Sequence, residues 1–292
     1  MNSLLVATDL SAPSRHAAQR AAMLARQTGA RLVLAHVLEK RALAELLHLF
    51  DEDGQGVQDQ IRAQAREALS LLAAEIGEPL GVSAGQHLLE GEVMGSISMQ
   101  ADLLDASLLV VGARGAGFMR HWLLGATAER LLRVTLRPIL MVKQAPREAY
   151  RKVIVPMDFS PWSLGAVRLA MAVAPQAELI LLHAYEARFE DKMRIAGVNE
   201  DLIQGYRSKA QQYALLRLKQ TAAEAGLAAA QWQPLLTHGE AALGILEQEE
   251  EQGADLIVLG KHGVGMAEEL LLGSVTKRVL PRARCDVLVA AR

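Results

Sequence analysis

LIVLGKHGVGMAEELLLGSVTKRVL (256–280) begins as an apolar run, breaks into glycines and resumes as a helical pattern after Gly-Ser-Val-Thr. Gly260, Gly263, Gly265 and Gly273 punctuate this one connection, and Ser274 and Thr276 stand at the helix start. An apolar run handing over through glycines to a helix is the strand–turn–helix step of a βαβ unit. Glycines let the backbone turn without a Cβ and come close to a bound group. A helix beginning near Ser274 would aim its unsatisfied N–H groups and the positive end of its dipole at the same space.

The stretch has a counterpart. ASLLVVGARGAGFMRHWLLGATAERLL (106–132) matches ADLIVLGKHGVGMAEELLLGSVTKRVL (254–280), LLVATDLSAPSRHAAQRAAMLA (4–25) matches VIVPMDFSPWSLGAVRLAMAVA (153–174), RLVLAHVLE (31–39) matches ELILLHAYE (178–186), and LLEGEVMGSI (88–97) matches LTHGEAALGI (236–245). A long internal repeat at a nearly constant offset reads as two copies of one globular domain rather than a solenoid. The polar stretch QAPREAY (144–150) is the join, which gives domains over 1–144 and 151–292.

Each copy alternates apolar strands with helical patterns. In the second, KVIVPM, ELILLHAY, QWQPLLT, DLIVLG and DVLVAA read as strands, QWQPLLT the weakest, with helices between them. Such alternation specifies right-handed βαβ connections and a parallel sheet covered on both faces. Runs such as LLVVG and LIVLG, apolar on both sides, suit strands covered in that way.

Bulk properties narrow the function. The 292 residues carry a net charge of −2, which argues against a general nucleic-acid binder. One cysteine, Cys285, excludes an internal disulfide framework and fits a reducing compartment. MNSLLVATDLSAPS lacks the basic and long apolar regions of a signal peptide, and no apolar run is of membrane-spanning length. These features predict a cytoplasmic protein with no membrane partner.

Three phosphate-binding patterns compete for the glycines. The P-loop pattern GxxxxGK[ST] occurs in neither copy. A dinucleotide fingerprint belongs directly after the first strand of a βαβ unit, where this chain instead has the Asp-containing loops TDLSAPS and MDFSPWS. The third pattern, G-x2-G-x9-G-[S/T], fits Gly260, Gly263, Gly273 and Ser274, with Thr276 beyond.

With that motif, the strand-end aspartates Asp9 and Asp158, the paired histidines His36 and His183 and the repeat itself, the sequence resembles the universal stress protein family in its tandem two-domain form. The resemblance covers nearly the whole chain, twice. It implies an α/β fold of two tandem open parallel five-stranded sheets of order 3-2-1-4-5 with helices on both faces, Rossmann-like, of the adenine nucleotide alpha hydrolase-like kind. Several members of the family bind ATP or related nucleotides and others do not. By analogy with the binders, Asp158 would bond the ribose, and the backbone around Ala184 would meet the adenine. Gly260, Gly263, Gly273, Ser274, Val275 and Thr276 would hold the phosphates. Gly265 would help the backbone turn, and Lys261 and His262 would add positive charge. The ligand expected is ATP, with or without Mg²⁺. Asp158 has a competing use as a cap of the following helix, although Ser160 suits that job better.

The copies differ at the helix start. The first keeps Gly112, Gly115 and Gly125 and adds Arg114 and Gly117, but reads Gly125-Ala126-Thr127-Ala128 where the second reads Gly-Ser-Val-Thr. Two hydroxyl donors are replaced by alanine, and Thr127 lies one register off. At about 0.5–1.5 kcal/mol net per hydrogen bond, more to a charged acceptor, the second domain is expected to be the better site. The first, with Asp9, Val37, Gly112, Arg114, Gly115, Gly125 and Thr127 as its weaker candidates, is left with weak binding, another ligand or a structural role.

Other residues carry plainer readings. The repeated histidines suggest a shared structural job, and no His or Cys spacing supports a metal site. FDEDGQG (50–56) fails as a Ca²⁺ loop because Arg62 falls where a bidentate Glu is required, so it reads as a solvated helix break. Trp122, Trp162 and Trp232 read as packing residues, EQEEEQ (247–252) as a solvated helix end, and Cys285 as buried and inert. The long helical regions 41–76 and 190–225 fit a pocket cover or a partner face. Three functions compete: a non-enzymatic nucleotide-binding sensor or adaptor, a slow ATPase or phosphotransfer enzyme, and a ligand-free interaction module. Fusion of two copies implies an intramolecular pseudo-dimer for which further homodimerisation is optional. The protein partner is not specified by these residues.

Overall fold

The computed structural model describes residues 1–47, 54–113, 125–185, 190–261 and 272–290. In the first copy the order is β1 (Ser3–Ala7), α1 (Ala12–Thr28), β2 (Arg31–Glu39), α2 (Lys40–Leu47), α3 (Gly54–Gly77), β3 (Ala84–Gly91), α4 (Val93–Leu103), β4 (Leu108–Gly112), α5 (Ala126–Val134) and β5 (Ile139–Val142). The second repeats it with β6 (Lys152–Pro156), α6 (Pro161–Val173), β7 (Glu178–Tyr185), α7 (Glu190–Ile195), α8 (Glu200–Ala225), β8 (Trp232–His238), α9 (Ala241–Gln252), β9 (Leu256–Gly260), α10 (Ser274–Arg282) and β10 (Asp286–Ala290). Of the FDEDGQG stretch, 50–53 lie outside the described residues and Gly54 to Gly56 already belong to α3. Among the described residues no helix is long and apolar enough to cross a membrane.

Local chemistry explains the elements. Leu108 to Val111 of β4 and Leu256 to Leu259 of β9 are buried, as a strand covered on both faces requires. Helix α1 turns a stripe of small side chains inward, with Ala17, Ala18, Ala21 and Ala22 fully buried, so its backbone packs close to the sheet. It ends at Gly29, whose φ of 70° suits the left-handed closing turn and whose N–H donates to the Ala25 carbonyl at 2.9 Å. Pro161 opens α6, where a missing N–H has no consequence. Asn199 caps α8 by accepting from the Asp201 N–H. Strand β8 carries Pro234 and pairs with β7 alone, the edge position in which a proline is tolerated.

The chain divides into two compact units. The first unit contains residues 1–149 together with β10, and the second runs from Tyr150 to Cys285. In the first, the strand order is β3-β2-β1-β4-β5 with β10 added antiparallel beside β5, Val287 facing Met141. The strands of that sheet otherwise pair in parallel. The second unit has β9-β6-β7-β8, also parallel, which is the expected 4-1-2-3 core of the repeat. Each copy contributes the five strands expected of it, and the last strand of the second copy, β10, falls within the first unit beside β5.

An ion pair fixes β10 within the first unit. Arg20 Nε of α1 lies 3.3 Å from Asp286 Oδ2, with side chains only 9% and 3% exposed. Asp286 Oδ1 accepts from the Lys143 N–H at 2.8 Å, and Arg20 Nη1 donates to the Glu148 carbonyl at 2.7 Å. In the second unit a related anchor corrects the reading of EQEEEQ as a solvated end. Glu249 is buried, and its Oε1 accepts from the backbone N–H groups of Arg284 and Cys285 at 2.7 and 2.6 Å. Its neighbours Glu247, Glu250 and Glu251 are exposed as expected. Cys285 is buried and unoxidised.

Candidate functional site

Strands β6 and β9 are neighbours in the second unit, and the connections that follow them lead to α6 and α10. Carboxyl ends of adjacent strands whose connections diverge open a crevice. There the structure has a cavity of about 560 Å³, lined by the loop after β6, the end of β7, the inner side of α8, Gly260 at the end of β9 and the first turn of α10. Seven of the residues singled out in the sequence meet in it: Asp158, Ala184, Gly260, Gly273, Ser274, Val275 and Thr276.

The first turn of α10 supplies the donors. Gly273, in extended conformation, sends its own N–H to the Lys261 carbonyl at 2.9 Å, and the first helical bond runs from the Lys277 N–H to the Gly273 carbonyl. The N–H groups of Ser274, Val275 and Thr276 precede that bond and have no partner inside the helix. The two hydroxyls differ from expectation. Ser274 is exposed at the cavity, but Thr276 is only 2% exposed, and its Oγ1 donates to the Gly260 carbonyl at 2.9 Å. The third helical position faces inward, and this hydroxyl ties the end of the strand to the helix. Lys261 is buried and is not among the residues that line the cavity. His262, Gly263 and Gly265 lie outside the described residues.

Asp158 organises the opposite lip. Its Oδ1 accepts from the Ser160 N–H at 2.9 Å and the Ser163 hydroxyl at 2.7 Å. Ser160 occupies the N-cap of α6 but makes no side-chain cap bond, and Asp158 holds the turn through the N–H of Ser160 and the hydroxyl of Ser163 instead of through the helix's own free N–H groups. Phe159 between them has a φ of 59°, and Leu10, at the same place in the first copy, has 63°. Positive φ at a bulky residue is strained, and its recurrence in both copies shows that the Asp-x-Ser turn imposes it.

His183 and His36 have the shared structural job predicted for them. His183 Nδ1 pairs with the Met157 carbonyl at 2.7 Å and His36 Nδ1 with the Thr8 carbonyl at 2.8 Å, tying the second strand of each copy to the end of the first. In the second copy the imidazole also lies against Phe159, ring centroids 4.3 Å apart, and the Arg217 guanidinium of α8 sits 5.1 Å from the same ring. Burial pushes the His183 imidazole below its ordinary range, offset in part by the Met157 carbonyl and the charge of Asp158. The unfolded chain then takes up a proton that the folded one resists. The contribution to stability is complete above the unfolded value of about 6.5 and is lost as the pH falls below it. Thermal unfolding followed by circular dichroism should show a lower midpoint at about pH 5.5 than at about pH 7.5, with a smaller difference in His183→Gln, which retains a donor for Met157.

Aromatic residues are what the sequence reading missed. Phe159, Trp162, Tyr185 and Tyr213 all line the cavity, including the tryptophan read as a packing residue. The signal lay in the repeat: the corresponding first-copy residues are Leu10, Pro13 and Leu38 for the first three. Trp122 lies outside the described residues.

The first unit preserves the backbone plan. Gly125 is extended and donates to the Ala113 carbonyl at 2.9 Å, as Gly273 does to Lys261. Ala128 is as buried as Thr276, and Thr127 is exposed. Gly112 ends β4, Val37 lies near the end of β2, and Asp9 accepts from the Ser11 N–H and hydroxyl. Arg114, Gly115 and Gly117 lie outside the described residues.

Two parallel α/β units in tandem, the second with a crevice at the carboxyl ends of its strands, place the chain among the Rossmann-like proteins with paired repeats. The model of the universal stress protein family matches residues 1–143 and again 149–291, and the chain belongs to that family. It is similar to the universal stress protein YxiE of Bacillus subtilis, 32% identical over 148 residues, which span 48% of this chain and 98% of the relative. A universal stress protein of Mycolicibacterium smegmatis is 27% identical over 303 residues, covering 98% of this chain and 96% of its own length. The crystal structure of a universal stress protein from Archaeoglobus fulgidus shares the fold, with a TM-score of 0.72 at 21% identity over 100% of this chain and 98% of that one.

Proposed function

We propose that the second unit binds an adenine nucleotide, ATP in preference to AMP, and that the protein acts as a cytoplasmic nucleotide-responsive sensor or adaptor rather than a metabolic enzyme. The observation that carries this reading is the convergence of the α10 first turn and Asp158 on one cavity of about 560 Å³. That size lies within the range of small-ligand sites, about 300–1,000 Å³. Main-chain donors at a helix start suit phosphate oxygens, an aspartate suits sugar hydroxyls, and the aromatic wall with the β7 backbone near Ala184 suits a flat base. A bound nucleotide would shift the protein toward the conformation that holds it best, and so alter the surface offered to a partner.

The test is mass spectrometry of small molecules released from the purified protein, followed by calorimetric titration with ATP, ADP and AMP. A copurified adenine nucleotide, or affinity rising with phosphate number, is the expected result. No binding of any of the three would overturn the reading and favour a ligand-free interaction module. Phosphate released from ATP in proportion to protein concentration would instead make the protein an ATPase.

A further inference from the structure

Ser160 is only 8% exposed and lines the cavity, yet its hydroxyl has no hydrogen-bond partner. A buried hydroxyl without a partner forfeits roughly 1–3 kcal/mol of solvation, so its persistence calls for an account.

The comparison between copies gives the cause. In the first, Thr8 Oγ1 and Ser14 Oγ pair at 2.9 Å, which leaves Asp9 Oδ1 to accept the Ser11 hydroxyl. In the second, methionine stands where the first copy has Thr8, and Met157 has no hydroxyl to offer. Ser163, the counterpart of Ser14, turns to Asp158 Oδ1 at 2.7 Å and takes the acceptor that Ser11 uses in the first copy. Ser160, the counterpart of Ser11, is displaced from its carboxylate, keeping only the backbone bond from its N–H. One threonine-to-methionine difference between the copies thus uncouples the hydroxyl of a cavity-lining serine from the aspartate beside it.

We propose that Ser160 is a specificity-determining residue of this site, whose hydroxyl pairs with a sugar hydroxyl of the bound nucleotide and selects ribose over deoxyribose. The inference rests on the nucleotide reading above. Phosphates are accounted for by α10 on the other lip, and the base by the aromatic wall. A sugar lies between them, next to Asp158. A carboxylate only accepts, whereas a serine hydroxyl both donates and accepts, so the two together satisfy a vicinal diol better than either alone. The oxygen is covered as it stands, and a rotation about χ1, a step between staggered wells, would be needed to present it to a sugar. A site built to hydrogen-bond a hydroxyl discriminates against the analogue that lacks it, since its own group is then left unpaired.

The experiment titrates ATP, 2′-deoxy-ATP and 3′-deoxy-ATP into the full-length protein and into Ser160→Ala, and records thermal unfolding of both without ligand. The wild type should prefer ATP to at least one deoxy analogue, and Ser160→Ala should weaken ATP about three- to tenfold and narrow that preference. The ligand-free midpoint should be unchanged or higher in Ser160→Ala, because the alanine removes a hydroxyl that had no partner. An unchanged ribose preference in the variant overturns the proposal. So does a clear fall in the ligand-free midpoint, which would make Ser160 a helix cap. Wild-type protein that binds no nucleotide at all overturns the nucleotide reading, and this inference with it.

Discussion

Ser274→Pro should lower ATP affinity by roughly 30- to 1,000-fold while leaving the thermal midpoint of the protein unchanged. Ser274 is the first residue of α10, the helical position most accepting of proline. The residue before it, Gly273, already has φ −57° and ψ 152°, the extended conformation that a following proline demands. The helix therefore keeps its geometry and loses one backbone donor and one hydroxyl facing the cavity. A hydrogen bond to a charged phosphate oxygen contributes about 1.5–3 kcal/mol and a neutral one about 0.5–1.5 kcal/mol, which together give about 2–4 kcal/mol. Ser274→Ala removes only the hydroxyl and should weaken binding about three- to tenfold. Ala126→Pro makes the same backbone change in the first unit, where Gly125 is likewise extended, and should leave the affinity of the stronger site untouched. Isothermal calorimetry on the three variants separates these cases. Equal losses from Ala126→Pro and Ser274→Pro would contradict the inequality of the two copies.

Asp286→Ala should destabilise the protein by about 3–5 kcal/mol. The substitution takes away the carboxylate that lies 3.3 Å from the almost fully buried Arg20 guanidinium, and removing one partner of a buried ion pair is strongly destabilising. It also deprives the Lys143 N–H of its acceptor, at the point where β5 meets β10. Replacing both partners, Arg20→Met with Asp286→Leu, should recover most of the loss, since a buried pair exchanged for apolar side chains of similar size is often neutral. Denaturant unfolding of the wild type, the two single variants and the double variant checks both statements. If either single variant fell within about 0.5 kcal/mol of the wild type, the pair would have no part in holding β10.

Much of this architecture was legible because each strand of the repeat is written twice. LLVVG and LIVLG announce doubly covered strands, and the glycine spacing with Asp158 marks the two lips of one crevice. What escaped was set by partners distant in the chain. Nothing in EQEEEQ distinguishes Glu249 from the glutamates beside it, since its burial depends on the N–H groups of Arg284 and Cys285, more than thirty residues away. Thr276 looked like a ligand donor because helix starts attract hydroxyls, and only the position of the Gly260 carbonyl shows where its proton goes. Lys261 illustrates the same limit, because a cation following a strand can turn toward a crevice or be buried, and its burial was decided by packing. DVLVAA is the last strand of the second copy, and its antiparallel pairing with β5 could not be read from it, because an apolar strand does not state which edge it will join.

That strand bears on the order in which the protein can finish folding as it is made. Residues 1–149 emerge from the ribosome with β5 at an open sheet margin, and the segment that covers it, 286–290, follows some 140 residues later. At synthesis rates of about 5–20 residues per second the margin stays bare for roughly 7–30 seconds. Throughout that interval the buried Arg20 has yet to meet Asp286, and the nascent first half is the species most in need of protection from pairing with a neighbouring polysome product.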